Sequence, residues 1–373
     1  MKPNIAVFGS SALDQTLAAD LTLAGYEVNL FDLPEVQNTI TNIHKNGGIH
    51  LCGDPRMLIS GKTGFAKINM VTTNVKNALN NVDVIFCDVP ISDFETMFEA
   101  IAPYIKDNQI VNFQTYGYWS CLRLANILKH MDKKNIILTE SPAPIYAARG
   151  KDGNVTSALI RRSLPLATFP ANKTKEAFKV LKNIFPTYEM AKNVLEINFE
   201  NINMLVHSGI AICNIGYFDR AMEMGEKVSF YSTGITLHAG ILSEVQDRER
   251  LAVCQAYGVR FTSLREHIIR LYDSQGKTVQ EAIMNAKLYK NRARDPANIW
   301  VKWLSLDVPF AHVPFVSLAE LAGVPVPIYR AIIEIFGAVL KTDFWKTGLT
   351  LDKLGLGSLT KNEMLRYVTE GET

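Results

Sequence analysis

Apolar positions along the chain change texture near residue 190. Before it they form short runs of strand length joined by stretches of helical spacing. Beyond it helical spacing takes over. The opening shows the first pattern compactly. Ile5-Ala6-Val7-Phe8 is an apolar run ending at Gly9, and Leu13, Leu17, Ala18 and Leu21 then recur at helical intervals as far as Gly25. A second run, Val28-Asn29-Leu30-Phe31, ends in Asp32. The alternation continues with a strand over 67–72, a helix over 75–79, the near-continuous apolar run 82–90 and a helix over 92–105. Strands at 109–113 and 136–139 follow. Unbroken apolar runs such as 82–90 suit a parallel sheet covered on both faces. The proline-rich stretch 141–190 holds two further β-like runs, 155–160 and 164–169, which read as an extension of the same sheet.

From Asn193 to Met224 apolar residues keep helical spacing well past the ~11 residues of an average helix, which predicts one long helix. Shorter helical patterns cover 240–257, 264–271, 279–286, 316–321 and 327–340. The predicted fold class is α/β: an N-terminal Rossmann-type doubly wound sheet over residues 1–190, then an all-helical C-terminal domain over 191–373.

Strand, turn, helix, strand and a terminal acid is the layout that cradles a dinucleotide. The usual loop has glycines at relative positions 1, 3 and 6, occupied here by Gly9, Ser11 and Asp14. Gly9, Ser10 and Ser11 still suit a tight turn presenting N–H groups and hydroxyls to phosphate at a helix start. Asp14 works against this, because its carboxylate suits the helix dipole but repels a pyrophosphate. Asp32 favours binding, since a carboxylate there accepts hydrogen bonds from both ribose hydroxyls and repels a 2′-phosphate. NAD is therefore favoured over NADP. The alternative is that Asp32 merely ends a strand in a fold that has lost its nucleotide.

Composition narrows the field. The 373 residues are 47% hydrophobic and 20% charged with net charge +2, ordinary values that point to neither a nucleic-acid nor a membrane partner. The expectation is a cytoplasmic protein, because the chain enters its first strand with no signal peptide and no apolar run approaches the ~20 residues of a bilayer span. Five cysteines, Cys52, Cys87, Cys121, Cys213 and Cys254, form no C-x-x-C pair and read as reduced, buried thiols. There is neither a nucleophile elbow nor a metal-ligand cluster.

Glu196, Glu200, Asn203, His207 and Asn214 fall on one face of the predicted long helix amid apolar neighbours. An imidazole one turn beyond an amide suits acid–base work in a cleft, or else is a satisfied, partly buried histidine. A hundred residues on lies Trp300-Val301-Lys302-Trp303-Leu304-Ser305-Leu306-Asp307-Val308-Pro309. Pro309 is expected to end the helix and leave Asp307 at a corner. A carboxylate there could orient a histidine and Lys302 could bind a substrate carboxylate. Read alone, the two are an acid before a turn and a surface lysine.

Taken in order, these residues resemble the opine dehydrogenase family of octopine/nopaline dehydrogenase and N-(1-carboxyethyl)norvaline dehydrogenase type. The resemblance runs from the opening unit through Gly47-Gly48-Ile49-His50-Leu51-Cys52-Gly53, Ala78, Val82-Asp83-Val84-Ile85 and Val89-Pro90 to Glu140, Tyr146 and Arg149. It continues through Asn193-Val194-Leu195-Glu196, Asn201, Asn203, His207, Phe230-Tyr231, Gly234, Asp247 and Glu249-Arg250. Asp307-Val308-Pro309, Gly323-Val324-Pro325 and Pro327 complete it. It implies NAD(P)H-dependent reductive condensation of an amino acid with a 2-oxo acid in an active site between two domains. By the same resemblance His207 transfers the proton, Asp307 partners it and Asn203 contacts substrate. Gly9, Ser10, Ser11, Ala12, Asp32, Val89 and Pro90 would hold the cofactor. Lys302 stands where the family has an arginine, keeping the charge without the fork, and Glu140 is a candidate for the amine or side chain of the amino acid. Thr233 replaces a common glutamate, and Ser11-Ala12-Leu13-Asp14 replaces the family's small loop residues. The apolar helical domain is compatible with a homodimer. Two rivals remain at this stage: a non-catalytic binding or regulatory relative with a decayed dinucleotide site, and a reductase of 2-oxo or 3-hydroxy acids.

Overall fold

The computed structural model describes residues 2–88, 90–114, 116–131, 133, 135–290 and 297–372. The chain divides into two compact units, Met1–Ile197 with Leu365–Thr373, and Asn198–Met364.

The first unit holds strands β1 (Ile5–Phe8), β2 (Val28–Phe31), β3 (Ile49–Gly53), β4 (Gly64–Ala66), β5 (Met70–Thr72) and β6 (Val84–Cys87). After them come β7 (Ile110–Phe113), β8 (Ile137–Glu140), β9 (Tyr146–Lys151), β10 (Asn154–Ile160), β11 (Leu164–Phe169) and β12 (Tyr188–Met190). Eight of them form one sheet in the order β12-β11-β8-β7-β6-β1-β2-β5. The six from β8 to β5 are parallel, and β11 joins β8 antiparallel. β1, β2, β6, β7 and β8 are buried at every residue, as continuous apolar runs require. Chain order reverses at β1, which lies between β2 and β6. Crevices at such reversals receive the ligand in open parallel sheets.

Of the two runs expected to extend this sheet, 164–169 does so as β11, but 155–160 does not. It becomes β10 of a separate four-stranded sheet, β4-β3-β10-β9. The cause is local. Asp152 and Gly153 both take positive φ (50° and 82°), the two-residue Asp-Gly turn that folds β9 back on β10 before either strand reaches the main sheet. In the C-terminal segment Tyr367 packs on Phe169 at 5.1 Å.

The described part of the second unit is helical. The single long helix expected from Asn193 to Met224 is two: Val194–Phe199 and a 21-residue helix, Asn203–Glu223. Polar side chains cause the break. Asn201 Oδ1 accepts the Asn203 N–H (3.0 Å), while Glu200 turns aside to accept the Thr262 N–H (2.9 Å) and to pair with His267 (2.9 Å). Burial pushes the Glu200 carboxyl up, but His267 and Arg250 more than offset this and leave it below its usual range. Glu196 and Glu200 are thus not on the helix that carries Asn203, His207 and Asn214.

Pro309 also departs from expectation. Residues Ile299–Asp307 are α-helical, Val308–His312 form one π-helical turn, and Val313–Leu321 continue as α-helix. Val308 is helical (φ −64°, ψ −56°) rather than extended. The widened turn, closed by the Val313 N–H on the Val308 carbonyl, accommodates a proline that offers no N–H. The stretch Ile299–Leu321 is, against expectation, long and apolar enough to span a bilayer by length and composition, yet 67% of its apolar 18-residue part is buried inside the protein. It is a core helix by that measure.

Candidate active site

Four helices fix the acid–base residues: α1 (Asn203–Glu223), α2 (Leu237–Tyr257), α3 (Ile299–Asp307) and, past the π turn, α4 (Val313–Leu321). His207 is the fifth residue of α1 and Asp307 the last of α3. The structure brings them together: His207 Nδ1 lies 2.7 Å from Asp307 Oδ2, with the residues 6% and 2% exposed. A buried carboxylate facing Nδ1 accepts its N–H, so the neutral ring keeps its lone pair on Nε2. Nε2 in turn faces the Tyr231 hydroxyl at 3.0 Å. The imidazole stacks on Trp303, centroids 4.5 Å apart and planes 14° apart, and Phe230 meets it edge-on at 5.7 Å. Trp303 and Asp307 are four residues apart on α3, so one helix face supplies both the platform and the carboxylate.

A second layer braces the backbone that carries that carboxylate. His312, buried in the π turn, places Nδ1 3.1 Å from the Asp307 carbonyl and Nε2 3.2 Å from Gln246 Nε2 of α2. Gln246 also donates to the Met204 carbonyl (3.1 Å), and its Oε1 accepts from Ser208 (2.9 Å). Burial holds the His312 pKa below its usual range, which suits a neutral ring donating from Nδ1. The π turn therefore ties Asp307 to both sides of His207 on α1.

The other sequence candidates sit variously. Asn203, half-buried at the start of α1, is one turn before His207 on the same face. Lys302 is exposed on α3. Glu140 is fully buried at the end of β8, where Oε2 accepts the Cys121 N–H (3.2 Å) at the start of the helix Ser120–His130. Its carboxylate serves that helix start. Tyr231, Trp303, Gln246 and His312 carried no role in the sequence reading. The i, i+4 spacing of Trp303 and Asp307 was a visible signal; the others come together through tertiary contacts.

In the first unit, the helix Ala12–Leu23 starts beside β1 with a closed capping box. Ser11 Oγ accepts the Leu13 and Asp14 N–H groups, and Asp14 Oδ2 accepts the Ser11 N–H at 2.9 Å. Gly9 has φ +121°, and a Cβ there would collide with the Asp14 carboxylate, so glycine is required twice over. Asp14 is 1% exposed and its Oδ1 has no hydrogen-bond partner among the described residues. Burial, then repulsion from Asp88, pushes its carboxyl well up; burial alone pushes Asp88 up to about 7. Asp32 follows β2 and accepts from Ser10 Oγ at 2.6 Å. Burial raises its pKa, and the bond from Ser10 opposes this. Pro90 is exposed just beyond β6; Val89 lies outside the described residues. The residues fit a dinucleotide at the sheet reversal, the obligate glycine and the ribose-side carboxylate, while the Ser11 N–H that phosphate would use is already engaged.

Residues 190–340 match the family described as NAD/NADP octopine/nopaline dehydrogenase, alpha-helical domain. Over 356 residues, 95% of this chain and 96% of its relative, the chain is 28% identical to opine dehydrogenase from Arthrobacter sp. (strain 1C). The helical half of the chain is thus similar to the octopine/nopaline dehydrogenase domain, and nearly the whole chain to an opine dehydrogenase. Solved structures share the fold. Octopine dehydrogenase with NADH and L-arginine aligns with TM-score 0.77 at 18% identity, covering 100% of this chain and 99% of the other. NADP+-bound yersinopine dehydrogenase aligns with TM-score 0.63 at 14% identity, covering 99% and 98%.

Proposed function

We propose that this chain is an opine dehydrogenase, an NAD(P)-dependent oxidoreductase acting on a CH–NH donor, and that it joins an amino acid to a 2-oxo acid, with His207 moving the proton, Asp307 orienting it, and Asn203 and Lys302 holding substrate carboxylates. The 2.7 Å contact between His207 and Asp307 carries the reading. Octopine dehydrogenase structures with L-arginine and with pyruvate support the two substrate classes. The amino acid arrives as an ammonium, and neutral His207 accepts one of its protons at Nε2. Asp307 stabilises the resulting imidazolium from Nδ1. The freed amine adds to the carbonyl carbon and passes one N–H proton to its oxygen, forming the carbinolamine. The proton held by His207 then goes to that hydroxyl, the C–O bond breaks as water leaves, and the nitrogen lone pair forms the C=N bond. The reduced dinucleotide supplies the hydride that completes the C–N unit. Trp303 fixes the imidazole plane throughout. Glu140, whose Oε2 also accepts the Cys121 N–H at the start of the helix Ser120–His130, is the candidate for the amine or side chain of the amino acid.

The cofactor belongs to the domain 1–190, held by Gly9, Ser10, Ser11, Ala12, Pro90 and Val89, and the acid–base pair to the domain 191–373. Asp32 favours NAD over NADP. The cytoplasm is the compartment this reading implies, in keeping with five free cysteines, of which Cys87, Cys121 and Cys254 are buried as expected and Cys52 and Cys213 are exposed against expectation, and a homodimer is the expected assembly.

The capping box at Asp14 supports a second reading, a relative that no longer holds its dinucleotide. Titration with NADH, followed by fluorescence, separates the two. Saturable binding together with NADH oxidation that requires both an amino acid and a 2-oxo acid is the expected result. No binding at millimolar NADH would favour the second reading.

A further inference from the structure

In the proposed reaction His207 must deliver a proton from Nε2, yet Nε2 is covered. The Tyr231 hydroxyl stands 3.0 Å from it, and the contact is buried. The ring has no freedom to turn its nitrogens elsewhere. Asp307 holds Nδ1, Trp303 lies against one face, and Phe230 closes on the edge. Tyr231 is fixed too, stacked on Tyr289 with centroids 4.1 Å apart and planes 20° apart.

The loop that carries Tyr231 is tied to the helix that carries His207. Asn214, two turns beyond His207 on α1, donates to the Gly234 carbonyl at 2.8 Å. The Ile235 N–H bonds the Tyr231 carbonyl at 3.1 Å. Gly234 is needed there, because a Cβ would collide with the Phe230 carbonyl. Phenol and imidazole are thereby held in register by backbone contacts rather than by their own hydrogen bond alone.

We propose that the Tyr231 hydroxyl, rather than Nε2 of His207 directly, hands the proton to the oxygen that leaves during condensation. The inference rests on the acid–base reading of His207. In neutral His207 the phenol O–H donates to the Nε2 lone pair. Once His207 is an imidazolium the polarity reverses, and Nε2–H donates to the phenol oxygen, leaving the phenol O–H to point elsewhere. In the dehydration step the phenol O–H bond breaks and a new O–H bond forms on the carbinolamine oxygen. The C–O bond breaks with its electron pair leaving on water, and the nitrogen lone pair forms the C=N bond. Nε2–H re-protonates the phenol oxygen, so tyrosine ends unchanged and His207 ends neutral. No electrons are gained or lost in the step. On the way in, the same chain runs backwards to take the ammonium proton to Nε2.

The test is Tyr231→Phe beside His207→Ala, each read by single-turnover NADH oxidation in mixtures of light and heavy water. The phenylalanine keeps the stack on Tyr289 and removes only the hydroxyl. Two protons in flight predict a curved proton inventory for the native enzyme. The Tyr231→Phe variant is expected to lose about a hundredfold in rate, with near-native KM and NADH affinity, and to give a linear inventory. Native rate and unchanged curvature in Tyr231→Phe, with His207→Ala inactive, would overturn the relay and leave His207 as the direct donor. A slower Tyr231→Phe with undiminished curvature would also overturn it, because the hydroxyl would then be merely structural. Full activity in His207→Ala would remove the acid–base reading and the relay with it.

Discussion

The two candidate sites of this protein are built in opposite ways. The dinucleotide loop in the first unit is contiguous in sequence, from Ile5 to Asp32, and its scaffold forms where local pattern says it should. Its detail is nonetheless altered by a near neighbour: Asp14 closes a capping box over the N–H group that phosphate would use. The acid–base site in the second unit draws on His207, Tyr231 and Asp307, spread over a hundred positions, and its described contacts are complete at both ring nitrogens. A local motif is thus easy to recognise and easy to modify with one side chain. A dispersed site is hard to recognise, but buried partners fix each of its members.

Four substitutions probe that contrast. The largest effect is expected at the dispersed site. His207→Ala should lower kcat by about 10³-fold in steady-state assays while leaving the NADH dissociation constant unchanged. An equal loss of NADH affinity would break the division of labour between the sites. Asp307→Asn should cost about 10²-fold in kcat, because an amide can leave the ring in the wrong tautomer. The loss should not exceed that of His207→Ala, measured side by side.

The smallest effect is expected at the contiguous site, and its sign is opposite. Asp14→Gly should tighten NADH binding by about tenfold, one pKa unit's worth of repulsion, read by fluorescence titration. The pH dependence sharpens this. Burial and Asp88 raise the Asp14 carboxyl, and burial brings Asp88 up to about 7. A bound pyrophosphate adds negative charge and raises both further, so binding takes up protons. Native affinity should therefore be highest below about pH 7 and fall as pH rises. Asp14→Asn should flatten that fall. A native enzyme with pH-independent affinity between 6 and 9 (about three decades of proton activity) would show that these carboxylates do not feel the cofactor.

Much of the fold was legible because it follows from period and punctuation. The buried runs of β1, β6 and β7 and the Gly9 turn need nothing beyond neighbours in sequence. Where structure and periodicity part, a specific local device is the cause. The Asp152-Gly153 turn diverted β10 into its own sheet, the Asn201 side chain cut the long helix in two, and a π turn carried the chain past Pro309. Of the site residues, His207 and Asp307 were nominated from sequence, but their separation of 2.7 Å is a tertiary fact. So are the Trp303 platform and the Tyr231 hydroxyl.

By itself the sequence determined which segments are strands of a buried parallel sheet, where a phosphate loop begins, and that an acid at position 14 stands in for a glycine. Those follow from apolar periodicity and from side chains acting within one turn of their own backbone. Tertiary structure alone decided that Asp307 reaches Nδ1, that Tyr231 covers Nε2, and that His312 and Gln246 brace the pair. Hydrogen bonds between residues a hundred positions apart leave no periodic trace in the chain; they exist only once packing has brought the helices together.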